Sequence, residues 1–388
     1  MLTTEQYNAR IIARARAQKD VKIVHAKVEE PTPVVENEEW APLPRSTHSA
    51  NTVNPIRRIV DAMNVPPNPE LAPIRLNLGD PTVTGKLPPS QVVTDAMLES
   101  VANHKYDGYG PSVGDIKARR AVVERYSCPE APFTEDDVIL ASGASHALQL
   151  AIEAIANEGD NILTPNPGFP LYSTLCRPHG IEDRHYNLDM DNGALIDLVH
   201  LEAQIDENTK AIIINNPGNP TGVVFPREHL IQVLHIAHRH RLTIIADEIY
   251  GDLTYGGAQF YPLASLAPKV PVITCDGIAK RWLVPGWRLG WVIVHNRHNA
   301  IADIKQGMIA LSQKIVGPCA LVQGALPKIL KDTPQSFFDN VKSVLSDNAR
   351  IFSQGLSKVP GLKVIRPQGA MYMMVGIDKA LYGEETKF

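Results

Sequence analysis

Cysteine is scarce in this chain. Only Cys128, Cys176, Cys275 and Cys319 occur in 388 residues, far apart and with no C-x-x-C pair. That spacing excludes a disulfide framework, and no histidines stand where a zinc module would need them. Free thiols in a reducing compartment are expected, with the cytosol as the default. Long apolar runs are also missing: nothing approaches the roughly 20 residues of a membrane-spanning helix, and the N-terminus lacks the apolar core of a secretory signal. Charge of one sign is absent too. Lys+Arg number 38 and Asp+Glu 42, a net −4, so there is no basic field for nucleic acid and no acidic tail. Small molecules, not polyanions or membranes, are the expected partners. No internal repeat or low-complexity tract occurs.

Hydrophobic residues make up 44% and charged ones 21%, enough apolar material for a large core. Residues 5 to 29, "EQYNARIIARARAQKDVKIVHAKVE", are rich in Arg and Lys, but Glu5, Asp20 and the scarcity of Ser argue against an organellar presequence and for a solvated helix. From about 30 to 55 the Pro, Glu and Ser/Thr content predicts an extended arm. Beyond it, strand-like runs alternate with helical patterns: "DVILASG" (137–143), "NILTPNPG" (161–168), "AIIINNPGNPTG" (211–222), "LTIIADEIYGD" (242–252), "VPVITCDG" (270–277) and "LGWVIVH" (289–295). Continuous Ile/Val runs separated by helices predict an α/β fold whose mostly parallel sheet is covered on both faces.

In such sheets ligands gather at the carboxyl ends of the strands, and the conspicuous polar residues fall there. "GIAKRWLVPGWRLGW" (277–291) sets Lys280 just past an apolar strand, where burial lowers an amine's pKa and makes a Schiff-base former of it; the alternative is a surface lysine. Arg288, in "PGWRLG", could bind a phosphate with two parallel hydrogen bonds or make a surface ion pair. Gly143, Ala144 and Ser145 open a helix, as an anion seat or simply as good caps. Asp247 ends "LTIIAD", where a buried carboxylate wants a cationic partner such as a pyridinium nitrogen, or caps the next segment. Tyr250 stands one turn on. In "NNPGNPTG" (215–222) prolines stiffen a loop presenting the Asn219 amide. Phe169, in "PNPGFPLY", could stack on a flat ring, and Tyr109, in "YDGYGPSVG", could reach a phosphate.

The ordered set "YDGYGPSVG", "NPGNPTG", "DEIYGD" and "GIAKRWLVPGWRLGW" resembles the fold-type I (class I/II) pyridoxal-phosphate aminotransferases. "NPIRRIVDAMNV", "LNLGDPTVTGKLP", "AKRWLVPGWRLGWVIVH" and "LSQKIVGPCALVQGAL" look closest to the members that act on tyrosine, so the likeness runs from about Asn54 to about Ile377. The resemblance implies a large domain at 84–317 with a seven-stranded, mostly parallel sheet. It further implies a smaller α/β domain from 54–83 and 318–388, and a polar arm at 1–53. It implies pyridoxal 5'-phosphate as cofactor, L-tyrosine as amino donor, 2-oxoglutarate as acceptor, and a place in aromatic amino-acid catabolism. Lys280 is implied as the Schiff-base lysine and proton shuttle, and Asp247 as the partner of the ring nitrogen. Asn219 and Tyr250 would serve the ring oxygen, Phe169 the ring face, and Ala144, Ser145 and Arg288 the phosphate. Tyr109 would join that phosphate site from the neighbouring subunit of a homodimer, and Gly79 would lie near the substrate carboxylate. No metal is implied. A related transaminase, a carbon–sulfur lyase and a non-catalytic subunit share the same motifs.

The family's small domain continues past a segment like "PQGAMYMMVGI" to an arginine that clamps the substrate carboxylate, whereas "DKALYGEETKF" contains none. The expectation from this departure is a chain that binds cofactor but transaminates weakly.

Overall fold

The run Thr209–Asn215 shows how the sequence builds the middle layer. Ala211 and Ile213 point to one face of the sheet and Ile212 and Ile214 to the other, and all four are buried. Successive side chains on a strand alternate between faces, so burial of every residue requires cover on both sides.

The computed structural model describes residues 42–62, 68–71, 76, 79–80, 82 and 87–382. One compact unit runs from Ser46 onward. Its main sheet contains β1 (Val138–Ala141), β2 (Asn161–Asn166), β3 (Glu182–Asp189), β4 (Leu195–Ile196), β5 (Thr209–Asn215), β6 (Thr243–Asp247), β7 (Val272–Gly277) and β8 (Gly290–His295), in the order β1-β8-β7-β6-β5-β2-β3-β4. The sheet thus has eight strands, the expected seven and the two-residue edge strand β4. From β7 to β3 every pair is parallel, while β8 is antiparallel to both β7 and β1. Those two reversals cancel. β1 therefore runs with β7, and one edge of the sheet collects the carboxyl ends of β1, β2, β5, β6 and β7 together with the start of β8. The chemistry suggested by the motifs converges on that edge.

On one face lies the helix Ala144–Ile155. Its Ala147, Leu148, Ala151 and Ile152 recur at helical spacing and pack on Ile213, Ile245, Ile273 and Cys275. The helix Arg227–Arg239 covers the opposite face through Leu230, Val233, Leu234 and Ala237, against Ile212, Ile214 and Ile244. A third cluster sets Trp282 and Trp291 under the helices Gln91–Ala102, Ile116–Tyr126 and Ala320–Asp332. After the 22-residue helix Gln335–Leu356 comes a small antiparallel pair, β9 (Leu362–Val364) with β10 (Val375–Ile377). Between these strands the chain is tied to the active edge: the Gln368 and Gly369 N–H groups donate to Gly222 O, and Ala370 N–H to Leu253 O.

The segment expected to be an extended arm holds a short helix, Thr47–Asn51, whose Ser46 hydroxyl accepts from Ser49 N–H at 3.2 Å. A Ser N-cap offsets one unsatisfied donor of the first turn. The helix expected at 5–29 lies outside the described residues. Among the described residues, no helix is long and apolar enough to cross a membrane.

Candidate active site

Lys280 follows β7 by three residues, behind the buried Ile278 and Ala279. Its Nζ donates to Gly79 O at 2.8 Å and stands 5.6 Å from the ring centre of Tyr250. Burial draws the ammonium below the usual lysine range; the carboxylates of Asp80 and Asp247 oppose this and the Arg288 guanidinium adds to it. More of the free amine is available at neutral pH than on an exposed lysine, which suits a nucleophile or a base. Gly79 can approach this closely because it lacks a Cβ, which would stand 2.1 Å from the Tyr372 hydroxyl.

Asp247 ends β6, the strand next to β7, and is 2% exposed. Burial pushes its carboxyl up to about 6, although Tyr172 donates a 2.7 Å hydrogen bond to Oδ2 and so favours the anion. A carboxylate so desolvated is stabilised by any cation brought against it. The Asn219 loop is joined to the same strand end: Asn219 N–H donates to Asn215 Oδ1 at 2.6 Å, and Asn215 Nδ2 donates to Asp247 O at 3.1 Å. Both Asn-Pro bonds of this loop are cis. The Tyr250 hydroxyl lies 2.6 Å from that of Tyr372, the rings meeting edge to face. Burial holds Tyr250 well above the ordinary phenol range, so it is a neutral hydrogen-bonding group.

Gly143 caps the helix Ala144–Ile155 with φ 78°. That left-handed conformation is easily reached only by glycine, and a Cβ here would lie 2.4 Å from Arg288 Nη2. Arg288 enters from the start of β8. Its guanidinium donates to Ser145 Oγ at 2.8 Å, to Ser142 O at 3.3 Å and to Pro285 O at 2.9 Å. A helix N-terminus, a hydroxyl and an exposed guanidinium thus share one corner, an arrangement that binds phosphate.

Phe169 is half-buried after β2, its ring 5.8 Å from that of Tyr172 and nearly perpendicular to it. Tyr109 stands apart, 97% exposed. The strand-end residues expected from sequence are therefore brought to one edge, whereas Tyr109 faces outward. Sequence reasoning missed Tyr172 and Tyr372. The first is in the quoted "PNPGFPLY" and the second in "PQGAMYMMVGI", but neither segment signals a partner 75 or 122 residues away.

The family model for aminotransferase class I and II matches residues 72–388. The chain belongs to this family. Among similar proteins, the tyrosine aminotransferase of Caenorhabditis elegans is 62% identical over 352 residues, 90% of this chain and 76% of that protein. The Homo sapiens tyrosine aminotransferase is 48% identical over 346 residues, 89% and 76% of the two chains. The crystal structure of tyrosine aminotransferase from Leishmania infantum superposes with a TM-score of 0.83 at 33% identity, over 88% of this chain and 84% of that one.

Class I and II aminotransferases work with pyridoxal phosphate, and the residues present fit it. The Arg288 corner suits its phosphate, the desolvated Asp247 carboxylate suits a protonated pyridine nitrogen, and the amine of Lys280 is depressed as carbonyl chemistry requires. Among the described residues, no group of three or more His, Cys, Asp or Glu could hold a metal ion.

Proposed function

We propose that this aminotransferase moves the amino group of L-tyrosine to 2-oxoglutarate, giving 4-hydroxyphenylpyruvate and L-glutamate, in aromatic amino-acid catabolism. The observation that carries the reading is the pairing of a depressed amine, Lys280, with a buried carboxylate, Asp247, on adjacent strand ends. The 62% identity to a tyrosine aminotransferase supports the substrate.

In this reading Arg288, Ser145 and the Ala144 N–H bind the cofactor's phosphate. Asp247, kept anionic by Tyr172, holds the proton on the pyridine nitrogen. Asn219 and Tyr250 orient the ring oxygen, and Phe169 covers one ring face. Bound pyridoxal phosphate supplies the electron sink for charge left on the substrate α-carbon. Lys280 Nζ would take the proton from the α-carbon of the donor amino acid and, in the half-reaction with the acceptor, would deliver a proton to the α-carbon of the new amino acid. Gly79 lies beside the substrate carboxylate. Tyr109, so exposed here, serves the phosphate site of a neighbouring subunit, which makes the working form a homodimer. Residues 84–317 form the large domain, and 54–83 and 318–388 belong to the smaller one. The unpaired cysteines are in keeping with the cytosol.

The test is turnover of the purified protein, loaded with pyridoxal phosphate, against a panel of L-amino acids with 2-oxoglutarate. Tyrosine should give the highest kcat/KM, with equal amounts of 4-hydroxyphenylpyruvate and glutamate. A preference for alanine or aspartate, or release of ammonia and pyruvate, refutes the proposal.

A further inference from the structure

Next to Lys280 stands a second cation that the reaction above does not use. Arg281 is 3% exposed. Cys275 pairs in register with Asp247 and packs beneath the helix Ala144–Ile155, so Asp276, the next residue, faces the opposite side of the sheet. Arg281 reaches that side. Its Nη2 donates to Asp276 Oδ2, and its Nη1 lies 3.5 Å from Asp252 Oδ2. The guanidinium carbon is 5.2 Å from the ring centre of Tyr126 and 5.3 Å from that of Trp282. Burial works against its charge, and the carboxylates of Asp276 and Asp252 more than offset it.

Three pieces of chain meet on this one group: the end of β7 through Asp276, the lysine turn through Arg281 itself, and the Tyr250 loop through Asp252. The turn is closed by Trp282 N–H to Ile278 O and Leu283 N–H to Lys280 O, both 3.3 Å. A buried ion pair is a poor stabiliser compared with apolar packing of the same volume, so stability alone is a weak reason for it. A fork anchored on one face of a sheet does, however, fix which way the preceding residue points.

We propose that Arg281 is a positioning residue: by gripping Asp276 and Asp252 on the far face, it holds the 277–283 turn so that Lys280 stays against Gly79 and Tyr250. The inference rests on Lys280 being the reactive amine. The charged groups around that amine are Asp80, Asp247 and Arg288.

The experiment reads Lys280 directly in cofactor-free protein. Acetic anhydride labelling at a series of pH values, with the Lys280 peptide quantified by mass spectrometry, gives the apparent pKa of its amine. The double variant Asp276→Asn/Arg281→Met removes the pair without leaving a buried charge and should fold. Its Lys280 pKa should rise by about one unit, a tenfold loss of free amine at neutral pH, with kcat falling while KM for tyrosine stays close to the parent's. A folded double variant whose Lys280 profile superimposes on the parent's overturns the proposal. If that variant does not fold, Arg281→Lys, which keeps the charge and loses the fork, carries the same readout, and an unshifted profile there overturns it equally. An ordinary lysine profile in the parent itself would instead strike down the reading of Lys280.

Discussion

Removing the Tyr172 hydroxyl should change stability in a way that depends on pH. Burial raises the Asp247 carboxyl from 3.8 to about 6 in the folded protein, and the 2.7 Å bond from Tyr172 limits that rise. Since the folded pKa exceeds the unfolded one, the group's contribution is fully present below 3.8 and lost as pH climbs through about 6. A hydrogen bond to a charged group contributes about 1.5–3 kcal/mol. At about 1.4 kcal/mol per pKa unit, Tyr172→Phe should lift Asp247 a further one to two units, to roughly 7–8. At pH 5 parent and variant both hold a protonated carboxyl and should differ little. By pH 8 the variant should be weaker by about 1.3–2.3 kcal/mol. Urea unfolding of the two cofactor-free proteins at steps from pH 5 to 8.5 measures the difference. If the gap is the same at every pH, Tyr172 is not what keeps this carboxylate ionised, and the reasoning fails.

Three further outcomes follow from the same geometry. Lys280→Met should lower kcat with tyrosine by at least about 10²–10⁴ while leaving the thermal midpoint of the cofactor-free protein no lower, because a desolvated amine is removed. Arg288→Gln breaks the contacts with Ser145 and Ser142 and should weaken pyridoxal phosphate binding roughly 10- to 100-fold, read by absorbance titration. Glu248, 7% exposed and pushed by burial from 4.5 to about 8, should make stability fall as pH rises across that interval. Glu248→Gln keeps an acceptor for Leu263 N–H, bound at 2.7 Å. It should therefore flatten the fall and gain about 2–5 kcal/mol above pH 8, and an unchanged slope in chemical denaturation would refute this.

What the sequence determined by itself was local. Apolar runs such as "AIIIN" and "VITC" specify strands because every side chain is buried, and the residues after them, Asn219, Asp247 and Lys280, are readable as strand-end groups without knowing any partner. β3, "EDRHYNLD", escaped that reading because an exposed, charged strand near the sheet edge has no apolar run to betray it. The helix Thr47–Asn51 was hidden in a segment whose composition favours an arm. Tertiary structure alone decided the rest. The double reversal through β8 brings Arg288 and Ser145 to the same edge as Lys280. Pairing across 75 and 122 residues gives Asp247 its Tyr172 and Tyr250 its Tyr372. The pleat sends Cys275 and Asp276 to opposite faces, so the Arg281 guanidinium meets Asp276 on the side away from the helix Ala144–Ile155. A hydrogen bond between distant segments leaves no periodicity or spacing in either of them. Such a partner becomes visible only when the sheet order sets both segments side by side.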